Sequence, residues 1–294
     1  MSGSASEGVA LGAVPGIAAQ SGPARRVRSL RGLAAGFGRA ALPWALPVAV
    51  ILLWQAAASL GFLSSRVLPA PGDVALAFWR TLNDGSLLAN VLVSTRRALI
   101  GLAIGGGIGF ALGIANGIWR PAETALDSTL QMLRNVPHLA IIPLVILWFG
   151  IGEEAKIFLV AIGVAFPIYL NTFHGIRTVD RGLVEMARVY GLSPAALFWR
   201  IVLPGAMPSI LVGLRYALGI MWLTLIVAET IASSSGIGYM TMNAREFLQT
   251  DVVVLGVLAY ALLGKAADSL TRAIEHRMLA WHPAYQGRRA GLAS

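Results

Sequence analysis

The chain has 294 residues, 56% of them hydrophobic and only 13% charged, against about 25% charged in an ordinary soluble domain. Its net charge of +9 comes from 21 arginines and two lysines against 14 acidic residues; these cations flank apolar runs, which reads as a membrane-topology signal and excludes nucleic acid as the expected partner. With no cysteine, disulfides and zinc–thiolate sites are excluded.

Residues 1–40 are rich in Gly, Ala and Ser and lack periodicity, so they are expected to be a disordered cytoplasmic tail ending in the basic cluster Arg25, Arg26, Arg28, Arg31 and Arg39. A cleaved signal peptide would begin with its charges, which this stretch does not. Apolar runs follow. A span needs roughly 20 apolar residues to cross ~30 Å of hydrocarbon, which predicts six spans, near 42–62, 98–119, 128–149, 156–174, 207–231 and 252–273. They form a membrane domain over 41–275, with a short cytoplasmic tail at 276–294. With the N-terminus inside, cytoplasmic segments hold 14 cationic side chains and external segments six, so both termini are expected in the cytoplasm.

Between the first two spans, Leu68-Pro69-Ala70-Pro71-Gly72 cannot be helical throughout. Asp73 can cap a short amphipathic helix to Leu82, ended by the turn Asn83-Asp84-Gly85 and lying on the outer surface. The second span carries Gly101, Gly105, Gly109, Gly113 and Gly117. Their four-residue spacing puts them on one helical face, where a neighbouring backbone can approach closely.

The loop after span four, 177–206, is the most informative. Asp180 can cap a helix in which Leu183, Met186, Ala187 and Tyr190 share a face, with Arg181, Glu185 and Arg188 opposite. Gly191 stops it, and Ser193-Pro194 starts a second helix with Leu197, Phe198, Ile201 and Val202 on one side. Pro204 and Pro208 mark the entry to span five. Such a helix pair must bury its stripe on its own protein, on lipid, or in a groove of a soluble partner.

The residue spacing within it bears on the choice. Glu185-Met186-Ala187, three residues, Gly191, nine residues, Ile201, one residue, Leu203-Pro204 resembles the cytoplasmic motif of binding-protein-dependent ABC permeases, Met186 replacing an alanine. From about Leu42 to Tyr285 the chain looks like the permease of aliphatic sulfonate importers, most clearly at 133–139, 147–152, 173–177, 243–248 and 281–285. Taurine, nitrate and pyrimidine importers have related permeases. The resemblance implies an all-α, six-span permease of the type I importer class in the bacterial inner membrane. It also implies a second permease copy, a cytoplasmic ATPase that binds ATP and Mg, and a periplasmic or lipid-anchored binding protein. Glu185, Met186, Ala187, Gly191, Ile201, Leu203 and Pro204 would dock the ATPase. The chain agrees independently in having no G-x-x-x-x-G-K-[ST] loop, the usual cradle for ATP phosphates. No cofactor, metal or enzymatic activity is expected of this chain itself.

Ionisable groups inside spans are costly and are candidates for function. Arg134, Asn135 and His138, beside Pro137, and Glu229 in span five are candidate lining groups of the translocation path, and the first three also suit interhelical hydrogen bonding. Arg215 and Glu229 stand 14 residues apart, ~21 Å along a helix, too far to pair. Lys265, Asp268 and Arg272 fit a local network. Ser233-Ser234-Ser235-Gly236 lacks the G-x-S-x-G elbow of a hydrolase and is expected to be external loop. An ion-coupled secondary transporter would show midplane carboxylates and internal repeats; Glu229 is the only acidic residue well inside a span before the sixth, and no duplicated half is evident.

Overall fold

Glycine spacing and apolar length shape the centre of the protein, seen in a computed structural model that describes residues 30–281 except 232, with side chains from residue 45 onward. The chain divides within its first helix into two compact units, 1–52 and 53–294. Helix α1 spans Leu30–Ser59. α1 begins at Leu30, inside the stretch expected to be unstructured: residues 30–42 are rich in Ala and Leu, strong helix formers. The basic residues Arg25, Arg26 and Arg28 and the 282–285 stretch lie outside the described residues.

The second unit is entirely helical among the described residues. α2, Pro71–Asn83, starts with Pro71 in the first turn, where its missing N–H costs nothing. Asp73 sits at the third helical position, not at the cap, and its carboxylate accepts from the Ala70 N–H at 3.2 Å. The turn that ends α2 places Gly85 at φ +77°, and the Asp84 carboxylate accepts from the Ser86 N–H at 2.8 Å. The Ser86 side chain first, and then this backbone bond, hold the Asp84 carboxyl below its usual range.

Three long helices form the centre: α3 (Ser86–Ile118), α6 (Glu153–Arg177) and α9 (Leu203–Ile231). The glycine ladder of α3 lies on α6. A Cβ at Gly105 would stand 2.0 Å from the Ala161 carbonyl oxygen, and one at Gly109 would stand 2.2 Å from that of Ala165. Gly101, Gly113 and Gly117 meet Val160, Thr172 and Ile176 in the same way. On its other flank α6 meets α9, where a Cβ on Gly213 would lie 2.5 Å from Asn171 Cβ and one on Gly175 2.9 Å from the Ala206 carbonyl. Without a hydrophobic drive between helices in lipid, backbones brought this close supply dispersion contacts instead. Val160, Val164 and Ile168 of α6 then share one core with Ala98, Ala217, Met221, Leu225 and Leu255, the last from α11 (Thr250–Met278).

Four helical stretches are long and apolar enough to cross a bilayer: Ser86–Ile118, Glu153–Arg177, Pro194–Ile231 and Thr250–Met278; Ala45–Ser59 is a shorter apolar helix. The third expected span, 128–149, is not one helix. α4 (Arg120–Arg134) ends at Asn135, and α5 (Ile142–Phe149) starts again with Pro143 in its first turn. Pro137 disfavours helical backbone at Val136 and supplies no donor, so the chain turns there. α3 also starts twelve residues before its charge-free run, because Arg97 is paired inside the protein and Arg96 is exposed on the helix surface. α10, Ile237–Glu246, packs between α9 and α11.

Candidate functional site

The segment after α6 is built by its caps. Asp180 accepts from the Gly182 N–H at 2.8 Å and opens α7, Arg181–Val189. Gly191, at φ +75°, closes it: the Leu192 N–H donates to the Ala187 carbonyl and the Gly191 N–H to that of Arg188. This pair of bonds satisfies carbonyls that the helix end leaves open. Ser193 caps α8, Pro194–Leu197, at 3.3 Å through the Ala196 N–H.

The second helix of this segment does not stop before the span. It passes through a π-helical turn, Phe198–Val202, straight into α9. Pro204 has no N–H to give its preceding turn, and the Leu203 N–H reaches back to Phe198; a widened turn accommodates the missing bond. Ala187 is buried, whereas Leu183, Met186 and Tyr190 on the same helix are exposed, as is Trp199. Glu185 and Gly191 are exposed, while Ile201, Leu203 and Pro204 are half-buried. The segment therefore presents an apolar surface that the described residues do not cover.

Of the candidate lining groups, His138 is half-buried in the α4–α5 turn, and its Nε2 lies 3.0 Å from Thr224 Oγ1 of α9. Asn135 is exposed and donates to the Gln131 carbonyl at 3.0 Å. Arg134 is exposed at the end of α4. These three stay together on the break between α4 and α5, and Glu229 does not join them.

Glu229 sits at 1% exposure in a different cluster. Its carboxylate accepts from Ser94 Oγ (2.8 and 2.9 Å), Arg97 Nη1 (2.7 Å), the Gly238 N–H (3.0 Å) and Tyr260 Oη (2.8 Å). Arg97, at 2% exposure, also donates to the Ser235 carbonyl (2.7 Å), to Ser235 Oγ (2.8 Å) and, through its Nε and Nη2 fork, to Glu153. The serine loop 233–236 is thus tied to the cluster, and Arg97 is no loop cation. The sequence did hold one signal: an isolated buried carboxylate in a span demands a cationic partner. Nothing in the spacing of positions 97 and 229 could say which cation it was.

The other in-span charges pair locally. Arg272 Nε donates to Asp268 at 3.0 Å, Lys265 lies 3.9 Å from it, and Arg215 reaches both Asp268, at 3.8 Å, and Glu275. No cluster of three or more His, Cys, Asp or Glu residues suited to a metal occurs among the described residues.

This architecture has known relatives. Residues 103–280 match the family described as binding-protein-dependent transport system inner membrane component. The chain is 60% identical over 248 residues to the "Putative aliphatic sulfonates transport permease protein SsuC" of Escherichia coli (strain K12), covering 84% of this chain and 94% of that one. The protein of the same name from Bacillus subtilis (strain 168) is 46% identical over 242 residues, covering 82% and 88%. In fold, the solved structure of an amino acid ABC transporter with histidines superposes with a TM-score of 0.54 at 16% identity, covering 68% of this chain and 97% of that one. The chain belongs to the binding-protein-dependent transport system inner membrane component family, and is a multi-pass permease subunit of an ABC importer rather than an enzyme.

Proposed function

We propose that this permease carries aliphatic sulfonates inward, as a homodimer driven by two copies of a cytoplasmic ATPase and fed by a substrate-binding protein. The uncovered apolar face of α7 carries the coupling part of the reading. Leu183, Met186 and Tyr190 lie exposed beside Glu185 in the segment whose residue pattern matches the family's ATPase-docking motif. An amphipathic helix seated in a groove is a common recognition mode. ATP and Mg belong to the ATPase. Closure of the two ATPases would draw the paired α7–α8 segments together, and rocking of the spans would then switch the path from outward- to inward-facing. The unbroken helix from Pro194 to Ile231 supports this, since motion at α8 is passed directly to a span. With this segment in the cytoplasm, both chain termini are cytoplasmic too.

The substrate reading rests on the sulfonate relatives, identical at 60% and 46% of aligned positions. Arg134, Asn135 and His138 at the α4–α5 break supply hydrogen-bond donors suited to a permanently anionic headgroup. The test is uptake of radiolabelled ethanesulfonate into proteoliposomes containing the permease, its ATPase and its binding protein. Competition by taurine, nitrate or a pyrimidine stronger than by a second alkanesulfonate would assign a different substrate.

A further inference from the structure

The two carboxylates on Arg97 are held very differently. Glu229 is sealed off by four donor groups and is fully buried. The Glu153 side chain is 55% exposed, and among the described residues its ion-pair partners are the Arg97 fork and Lys156, at 3.9 Å. Glu153 can therefore leave without unmaking the Glu229 cluster.

Glu153 also lines a cavity of about 220 Å³. One wall is polar, made by Arg96, Arg97 and Ser235; the other is apolar, with Val93 and Ile157. With Glu153 turned outward, the Nε–Nη2 fork of Arg97 would face this cavity without its carboxylate, while Nη1 kept Glu229. The buried guanidinium would then have unfilled donors, which favours an anion in the vacated place.

We propose that this cavity is an anion site whose built-in occupant is Glu153, and that an alkanesulfonate monoanion exchanges with Glu153 on the Arg97 fork. A sulfonate presents two oxygens to the Nε and Nη2 donors much as a carboxylate does, and the Val93–Ile157 wall takes a short aliphatic tail. The cavity lies at the start of α6, the opposite end from the α7 segment, so the exchange takes place at the outer mouth. The identity of the guest rests on the sulfonate reading; the presence of an anion site does not.

The experiment is isothermal titration of ethanesulfonate into the full-length permease in lipid nanodiscs, without the binding protein. Glu153→Gln is expected to bind about fivefold tighter than the parent, the scale on which a partly exposed ion-pair partner competes. Glu154→Gln, which removes the same charge from the adjacent position, is expected to bind like the parent, and Arg96→Gln more weakly. Glu153→Asp, whose shorter side chain loosens the fork, repeats the gain in smaller measure. Unchanged or weaker binding in Glu153→Gln overturns the proposal. So does failure of both Glu153 variants to assemble, which would make Glu153 structural. Ethanesulfonate uptake by the parent with no affinity change in Glu153→Gln sinks the site alone. The affinity change without ATP-driven uptake sinks the substrate reading alone.

Discussion

Replacing Gly105 by alanine tests the central helix contact with a single methyl group. The new Cβ would stand 2.0 Å from the Ala161 carbonyl oxygen, about 1.4 Å short of ordinary contact, and the Ala161 Cα and carbonyl carbon lie at 2.6 Å. All three obstacles are backbone atoms in the middle of α6, so no side-chain rotation relieves the clash. The α3 and α6 axes must separate, and dispersion contacts are then lost along the whole ladder. Overpacking of this kind costs typically ~1–3 kcal/mol, and a clash on backbone should fall at the upper end. Gly107, two residues on, is the internal control: it is exposed, and a Cβ there meets nothing within 4 Å. Gly107→Ala should be neutral or gain up to ~1 kcal/mol from helix propensity alone. The assay is thermal unfolding of the purified permease in detergent, followed by tryptophan fluorescence. Gly105→Ala should melt well below the parent and Gly107→Ala at or above it. Equal melting of the two variants would refute the packing argument.

Gly109→Leu should prevent assembly for the same reason, since its Cβ would lie 2.2 Å from the Ala165 carbonyl oxygen; recovery of a monodisperse, active complex would contradict this. Glu229→Ala strands the buried Ser94 and Tyr260 hydroxyls and the Gly238 N–H without their shared acceptor and leaves Arg97 ion-paired with Glu153 alone, a change that costs about 3–5 kcal/mol, so membrane yield should fall sharply, while yield equal to the parent would deny the cluster its structural weight. Glu185→Lys and Gly191→Pro should leave the permease folded in the membrane and lose the co-purifying ATPase, because both positions are exposed on the α7 segment; normal ATPase retention and normal uptake in both would remove the docking assignment. His138→Ala should slow sulfonate uptake without affecting assembly or basal ATP hydrolysis, and undiminished uptake in it and in Asn135→Ala would make both residues structural.

The long spans were legible because a charge-free run of 20 residues has few folded fates in a chain this apolar. α6 and α9 fall within a few residues of their expected bounds. Hydropathy failed where charge or proline meets tertiary context. It ended the second span at Ala98 because Arg96 and Arg97 look like loop residues, yet Arg97 is among the most buried side chains of the protein. It carried the third span through Pro137, since one proline barely changes a 20-residue window and acts through its missing donor. The segment from Glu185 to Pro204 was readable by residue spacing, but the π turn was not: it depends on how one absent N–H is accommodated. Glu229 was found as an anomaly, and its partner lies 132 residues away, a distance that no local pattern spans.

The most direct measurement of the whole account is ethanesulfonate uptake into proteoliposomes carrying the permease with its ATPase, with ATP present or absent at the nucleotide-binding face. The account predicts uptake that needs both ATP and the binding protein, that ignores imposed proton and sodium gradients, and that is lost in Glu185→Lys while the protein stays in the membrane. Uptake driven by an ion gradient in the absence of the ATPase would contradict it.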